Sequence, residues 1–303
     1  MANPARRLDH YADLIPEFED FLRAVKTAPP SHIRVNTLKA TPEEVVRNLE
    51  GLGFALKPES FSELIFRVEK APVPLGSTLA HALGLIYMQS ASSAVSALAL
   101  GARPGDRVLD LCAAPGSKTT LIAQMMENTG LIVANEPSHK RITSLNANLR
   151  RMGVANTLIT CYSGQNYPLR TKFNKILVDA PCSGEGTWRG LDSRPRDNTE
   201  DTRDRMTERQ SGILRQALEI LEEGGELVYS TCTYAPSENE LIVAPFIEKY
   251  GLRVLPLGLG LPAVPGLTEW QGEKLPGELK NAARLYPHYF DSEGFFVVRL
   301  AKP

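Results

Sequence analysis

The sequence predicts an α/β protein, a doubly wound parallel sheet preceded by a small N-terminal α+β unit. Three observations carry this expectation. From Arg103 onward short apolar runs alternate with helical stretches, and right-handed crossovers then place helices on both faces of a parallel sheet. Pro72, Pro74 and Gly76 punctuate the chain ahead of that region and divide residues 1–72 from residues 73–303. At 303 residues the chain exceeds the usual domain size of about 100 to 200 residues, so one large domain with a smaller companion is expected.

In the first unit Leu14 to Lys26 reads as an acidic helix, Pro29-Pro30 ends it, and Ile33–Thr37 is extended. Thr41 is placed to cap a second helix with Pro42 at its first position and Gly51 at its end. The run from Ala71 to Ala102 carries no Lys, Arg, Asp or Glu, which raises the question of a membrane span at Leu79 to Leu100. Gln89, Ser90, Ser92, Ser93 and Ser96 interrupt that run, so a buried helix of a soluble domain is the expectation. Strands follow at Arg107–Leu111, Leu131–Asn135, Thr157–Cys161, Lys175–Val178 and Glu226–Ser230. Helices are expected from Ser117 to Asn128, from a Ser138 cap to Met152, and from Met206 to Glu222. Ser237-Glu238-Asn239-Glu240 has the form of a capping box opening another helix, and Glu293–Arg299 supplies a last strand.

Composition is that of a globular chain: 43% hydrophobic and 23% charged, which excludes collagen-like and broadly disordered proteins. Lys+Arg 34 against Asp+Glu 35 advertises no nucleic acid, but a basic groove can sit on a chain of net charge -1, so the partner stays open. The N-terminus has no apolar signal core, and a cytoplasmic location is expected. Cys112, Cys161, Cys182 and Cys232 lie far apart without a C-x-x-C pair, so neither zinc nor a disulfide framework is expected.

In a doubly wound sheet the ligand crevice lies at the carboxyl ends of the strands, and the chemistry-bearing residues fall there. Asp110-Leu111-Cys112-Ala113-Ala114-Pro115-Gly116-Ser117-Lys118-Thr119 is a small-residue turn after the first strand of the sheet. It is neither G-x-G-x-x-G nor G-x-x-x-x-G-K-[ST], so a phosphate cradle is not expected. Glu136 ends the next strand, where an acidic residue accepts hydrogen bonds from ribose hydroxyls. For the turn alone, a packing role with a solvated Glu stays equally open. Cys182 and Cys232 follow two further strands and point at one crevice. A lone cysteine is usually a small buried hydrophobe, but two in matched positions suggest covalent chemistry at a pyrimidine. Carbon 5 of cytosine becomes nucleophilic once a thiolate adds to carbon 6. A second thiol can then assist loss of the carbon 5 proton, and Asp179 can share the proton on ring nitrogen 3.

Cys112-Ala113-Ala114-Pro115-Gly116-Ser117-Lys118, Asp179-Ala180-Pro181-Cys182-Ser183-Gly184 and Ser230-Thr231-Cys232-Thr233, in that order, resemble the Sun/RsmB/RsmF family of S-adenosylmethionine-dependent RNA cytosine-5 methyltransferases. Arg34-Val35-Asn36-Thr37-Leu38 looks like the family's N-terminal signature. Pro74-Leu75-Gly76-Ser77, Tyr87–Ser93 and Glu293-Gly294-Phe295-Phe296 look most like its RsmF branch. The resemblance implies a Rossmann-like methyltransferase sheet, S-adenosyl-L-methionine as cofactor and RNA as partner, ribosomal in preference to transfer RNA. It implies no membrane or metal and indicates no oligomer.

Residue by residue, the resemblance makes Cys112 to Lys118 the turn around the cofactor, with Glu136 on its ribose and Arg141 assisting. Asp179 would lie between cofactor and base, Cys232 would be the nucleophile and Cys182 the release residue. Ser163 stands where the family usually presents an Asp to the adenine amino group, so a charge-assisted contact is lost. The chain stops at Pro303, where longer RsmF-type proteins continue into an RNA-binding region, and residues 1–72 are expected to contact RNA while residues 73–303 hold the whole cofactor crevice. The charge-mixed stretch Arg189–Arg209 reads as a solvated face, Trp188 as packing or as a base-stacking ring, and Arg34 and Asn36 as a strand edge or an RNA contact. The competing reading is a cofactor-binding RNA chaperone or assembly factor without the chemistry, against which the joint presence of Asp179, Cys182 and Cys232 argues.

Overall fold

The computed structural model describes residues 8–190 and 200–303. The N-terminal unit holds α1 (Phe18–Val25), β1 (His32–Val35), α2 (Pro42–Gly51), β2 (Ala55–Glu59) and β3 (Ser62–Lys70). Thr41 and Glu44 form the reciprocal cap of α2, with Pro42 in its first turn. The charge-free run that suggested one buried helix is instead three elements: α3 (Leu79–Ala82), β4 (Ile86–Met88) and α4 (Ala91–Leu100). Gly84 makes the break. It sits at φ +68, and a Cβ there would lie 1.9 Å from the Arg151 carbonyl oxygen, so the chain turns where only glycine fits. Among the described residues no helix is long and apolar enough to cross a membrane.

β4 pairs antiparallel with β1 and completes a sheet of order β2-β3-β1-β4. The first sheet therefore reaches Met88, beyond the Pro/Gly-rich stretch at which sequence divides the chain. Its contacts with the larger unit are buried. Arg34, 0% exposed, donates to Gln89 Oε1 (2.9 Å), the Ser117 carbonyl (2.7 Å) and Thr120 Oγ1 (2.8 Å). Asn36 Nδ2 donates to the carbonyls of Gly84 and Met152, and Lys39 Nζ to those of Leu83 and Arg151. Arg34 and Asn36 are thus neither a free strand edge nor an RNA-facing pair; they fasten the two units together.

The larger unit runs β5 (Arg107–Asp110), α5 (Ser117–Met125), β6 (Leu131–Asn135), α6 (His139–Met152), β7 (Thr157–Thr160), β8 (Phe173–Asp179), α7 (Glu200–Ile220), β9 (Leu221–Thr231) and α8 (Glu240–Tyr250). Strands β10 (Arg253–Leu255), β11 (Val264–Pro265), β12 (Glu269–Trp270), β13 (Glu273–Lys274), β14 (Ala283–Leu285) and β15 (Phe295–Ala301) follow. The main sheet has the order β11-β14-β15-β9-β8-β5-β6-β7, with β10 on β15. β7, β6, β5, β8 and β9 are mutually parallel, as the alternating pattern predicts. β15 and β14 extend the sheet antiparallel, so it is mixed where a wholly parallel one was expected.

Period-two alternation sorts the core onto two faces. Val108, Leu177, Val228 and Val297 pack with Val95, Leu121 and Ile122 of α4 and α5. Their neighbours Leu109, Ile176, Leu227 and Val298 pack with Ile213, Leu214 and Val243 of α7 and α8. A third cluster gathers Leu8, Tyr11, Ile15, Phe21 and Val25 from the N-terminus with Trp188, Tyr234 and Tyr286 of the larger unit.

The capping box at Ser237–Glu240 is not formed. Residues Pro236–Glu238 make a 3-10 turn, Asn239 precedes α8 without a side-chain cap, and both acids turn inward. Glu240 is fully buried in an ion pair with Arg284, which offsets the desolvation of each charge.

Candidate active site

β8 and β9 lie side by side in parallel, with Asp179 opposite Ser230, so the loops that leave them carry Cys182 and Cys232 to the same edge of the sheet. The two sulfurs are 3.3 Å apart. They open into a cleft of about 540 Å³, within the range of small-molecule sites. Cys112, Ala114, Glu136, Arg141, Asp179, Cys182 and Cys232 all line it, so residues separated by 120 positions meet as sequence expects. Ala180, Pro181, Ser183 and Gly184 of the Cys182 loop, with Pro137, Thr187, Trp188, Met206 and Arg209, complete the wall.

The remaining residues of the Cys112–Lys118 turn stand behind this wall. Ala113 is buried, Pro115 is exposed, and the Ser117 carbonyl is taken by Arg34. Gly116, at φ +104, has its open side against Leu145 Cδ1, 2.9 Å from where a Cβ would sit. Its smallness serves the packing of α6 on the turn. Ser163 stands off the cleft wall and precedes the 3-10 turn Gly164–Asn166.

Glu136 is 1% exposed and lines the cleft. Its Oε1 accepts from the Ser138 amide (3.0 Å), and Arg141 Nη1 lies 3.0 Å from Oε2 while Nη2 donates to the Ala114 carbonyl. Arg141 thereby ties the acid at the end of β6 to the turn after β5.

Asp179 is held at both oxygens. Lys118 Nζ donates to Oδ2 (2.7 Å) and Ser230 Oγ to Oδ1 (2.8 Å), while Lys118 also reaches Ser93 Oγ (2.9 Å). Burial alone would lower the Lys118 pKa, but Asp179 raises it above its ordinary value, so the ammonium stays protonated. The motif Ser230-Thr231-Cys232-Thr233 therefore supplies more than its cysteine.

Contact with Cys232 and then burial push the Cys182 thiol well above its ordinary pKa. Its loop is fixed from below: Glu238 Oε2 accepts from the Ser183 amide (2.9 Å) and from Gln210 Nε2 (2.8 Å), and Gln210 also donates to the Pro181 carbonyl. Burial likewise raises the Cys112 pKa, first by desolvation and then by the charges of Asp110 and Asp179, which makes Cys112 a neutral wall residue.

Arg189 and Trp188 are both buried, against the solvated face read for the first and in line with the packing reading of the second. Arg189 is 6% exposed and donates to the Ser292 and Ala24 carbonyls, to Thr27 Oγ1 and to Asp291, so it is an internal clamp where a solvated face was expected. Trp188 is 5% exposed and packs in the N-terminal aromatic cluster while one edge meets the cleft. Arg203 pairs with Glu185, and positions 191–199 lie outside the described residues.

Residues 97–301 match the family described as 16S rRNA methyltransferase RsmB/F, and residues 4–91 match the N-terminal domain of 16S rRNA methyltransferase RsmF. The chain belongs to the RsmB/F methyltransferase family. It is 37% identical over 311 residues to ribosomal RNA small subunit methyltransferase F of Erwinia tasmaniensis, an alignment covering 99% of this chain and 63% of the relative. It is 35% identical over 301 residues to the human 28S rRNA (cytosine(4447)-C(5))-methyltransferase, covering 96% of this chain and 37% of the relative. The chain thus spans less than two thirds of the length of these relatives. Among solved structures, a methyltransferase homolog from Pyrococcus horikoshii is 36% identical with a TM-score of 0.88, covering 98% of this chain and 95% of that one. NSun6 from Pyrococcus horikoshii, solved with SFG, shares the fold at a TM-score of 0.83 and 24% identity over 97% of each chain. The RsmB/F fold is accordingly the Rossmann-like methyltransferase sheet with an α+β unit ahead of it.

Proposed function

We propose that the chain is an RNA cytosine-5 methyltransferase that uses S-adenosyl-L-methionine, with ribosomal RNA preferred to transfer RNA as substrate. The observation that carries this reading is the pair of thiols 3.3 Å apart, lining one cleft together with Asp179 and Glu136. The human relative methylates carbon 5 of a cytosine in 28S rRNA and the Erwinia relative acts on small subunit ribosomal RNA, which agrees with it.

The cleft suits the cofactor in size, and Glu136 offers a buried carboxylate where a ribose would need an acceptor. Cys112 to Lys118 and Arg141 form or brace that end, while Ser163, three residues beyond β7 and off the cleft wall, is assigned to the adenine side by the family resemblance alone. When bound, S-adenosyl-L-methionine supplies an electrophilic methyl group.

Cys232 Sγ, as thiolate, forms a bond to carbon 6, and the carbon 5–carbon 6 electron pair becomes the enamine. Asp179, oriented at both oxygens by Lys118 and Ser230, shares the proton on ring nitrogen 3. Once carbon 5 carries the methyl group, Cys182 Sγ takes the carbon 5 proton. The electrons of that C–H bond restore the double bond, and the sulfur–carbon 6 bond breaks to return the Cys232 thiolate. The raised pKa keeps Cys182 a thiol, and so a poor nucleophile, at neutral pH, which leaves attack to Cys232; Cys182 gives up that proton to solvent before it takes the one on carbon 5.

A denaturing gel with labelled RNA separates the roles. Cys182→Ala with cofactor attacks and methylates once, then stalls as a protease-sensitive shifted band; Cys232→Ala gives neither band nor product. The target must be unpaired or flipped out, so a sealed duplex gives no band. The reverse pattern inverts the two assignments. A wild-type chain inactive on every transcribed ribosomal RNA, while still binding it, favours the chaperone reading.

A further inference from the structure

We propose that Tyr11 is a positioning residue for the release thiol, acting through the buried Glu185 carboxylate on the hydroxyl pair Ser183–Thr233 that flanks Cys182 and Cys232. The inference rests on the methyl-transfer reading above. Two segments distant in sequence converge on one oxygen of a third. Glu185 Oε2 accepts from Tyr11 Oη (2.5 Å) and from Thr233 Oγ1 (3.2 Å), and Ser183 Oγ donates to Thr233 Oγ1 (2.7 Å). Ser183 adjoins Cys182 and Thr233 adjoins Cys232, so this chain of hydrogen bonds spans the two thiol loops from behind. The Gly186 amide adds a second tie by donating to the Cys232 carbonyl (2.9 Å).

Glu185 is 1% exposed, and hydrogen bonds to a buried carboxylate are both strong and costly to lose. The Tyr11 ring cannot wander. It meets Tyr234 edge-on with centroids 6.1 Å apart inside the cluster of Leu8, Phe21 and Trp188, which fixes where its hydroxyl points. Without that hydroxyl the carboxylate keeps Arg203 on Oε1 but loses a donor on Oε2, the oxygen that holds Thr233, so the Ser183–Thr233 link is less firmly placed. Attack requires only that Cys232 reach carbon 6. Release requires in addition that Cys182 face the carbon 5 hydrogen of the ring held by Cys232, so a less firmly placed link weighs on release.

The test uses the full chain with Tyr11→Phe, which keeps the ring, and Thr233→Val, which removes the next link. In the free protein, iodoacetamide labelling of Cys182 relative to Cys232 is followed by mass spectrometry from neutral to alkaline pH. Tyr11→Phe should change that ratio by about five-fold or more and move the pH midpoint of Cys182, a shift that a general loss of stability does not produce. With RNA and cofactor the same variant should accumulate about five-fold more covalent adduct than wild type, with kcat lowered and KM for RNA within about two-fold. A folded Tyr11→Phe with an unchanged labelling ratio and unchanged adduct overturns the proposal; if that variant does not fold, Thr233→Val decides by the same two readouts. Absence of adduct and product from the wild type and from Cys182→Ala strikes the methyl-transfer reading instead, and the labelling ratio still decides whether Tyr11 places the thiol.

Discussion

Glu136 is the residue on which the cofactor assignment can be tested most directly, because its carboxylate is buried yet faces the cleft. Glu136→Ala should weaken S-adenosylmethionine binding by about 1–3 kcal/mol through a lost charged hydrogen bond, read by calorimetry. Unchanged affinity removes the ribose role. Gly186 and Gly294 test the thiol scaffold at the same scale. The Gly294 amide donates to the Gly186 carbonyl, and a Cβ on Gly186 would sit 2.1 Å from the Gly294 carbonyl oxygen. Since backbone cannot yield as a side-chain tip does, Gly186→Ala should cost about 2–3 kcal/mol or more in denaturant unfolding. The cysteines, Asp179 and Glu136 were legible in the sequence because each ends or follows a strand. Glu185, Glu238 and Glu240 were not: Glu238 and Glu240 read as part of a capping box, Glu185 carried no signal, and only tertiary packing buries them against Tyr11, Gln210 and Arg284.

The elements of the main sheet were legible for a related reason. β6 matches its expected bounds, β5 and β7 stop one residue short of theirs, and β8 and β9 extend beyond theirs, since a strand buried on both faces reads as a short continuous apolar run. The stretch Leu79–Leu100 carried no such signal. Its small residues suit helix or strand, and the pairing of Ile86–Met88 with β1 decides the outcome from a distance. Asp110, at the end of β5, gives this scale a measurable quantity. It is buried, accepts from Thr119 Oγ1 (2.6 Å), and desolvation raises its pKa from 3.8 to about 6. A carboxyl whose folded pKa lies above its unfolded value binds more protons in the native state, so it favours folding at low pH and that contribution is lost as pH rises from about 4 to about 6. Two pKa units correspond to about 3 kcal/mol. Asp110→Asn should therefore gain stability relative to wild type across that window, levelling off above it. Parallel wild-type and variant curves in denaturant unfolding between those pH values would exclude the burial argument.

At the scale of the whole molecule, the division at residue 72 that composition suggests does not coincide with a seam in the packing. Residues 8–25 contribute Leu8, Tyr11, Ile15, Phe21 and Val25, all at most 4% exposed, to a core shared with Trp188, Tyr234 and Tyr286. At about 1.5–3 kcal/mol for each fully buried apolar side chain, their loss is comparable to the roughly 5–15 kcal/mol that holds an ordinary domain folded. The same cut removes β1, the partner of β4, and takes Arg34 from the Ser117 carbonyl and Thr120 at the start of α5. That carbonyl belongs to the turn that forms one wall of the cleft. A chain beginning near Val73 is therefore expected to lose cofactor binding along with RNA affinity, and not to retain the whole crevice as a separable domain would. Circular dichroism should find it without a cooperative thermal transition, or with one lowered by well over 10 °C, an interval that corresponds to several kcal/mol for a domain of about this size. Arg34→Met in the full chain isolates one element of the argument: it should weaken cofactor binding while the aromatic cluster around Tyr234 stays intact, as read by unchanged near-ultraviolet dichroism. A shortened chain that melts cooperatively near the wild-type temperature and binds the cofactor as tightly would show that the N-terminal unit only rests on the catalytic sheet.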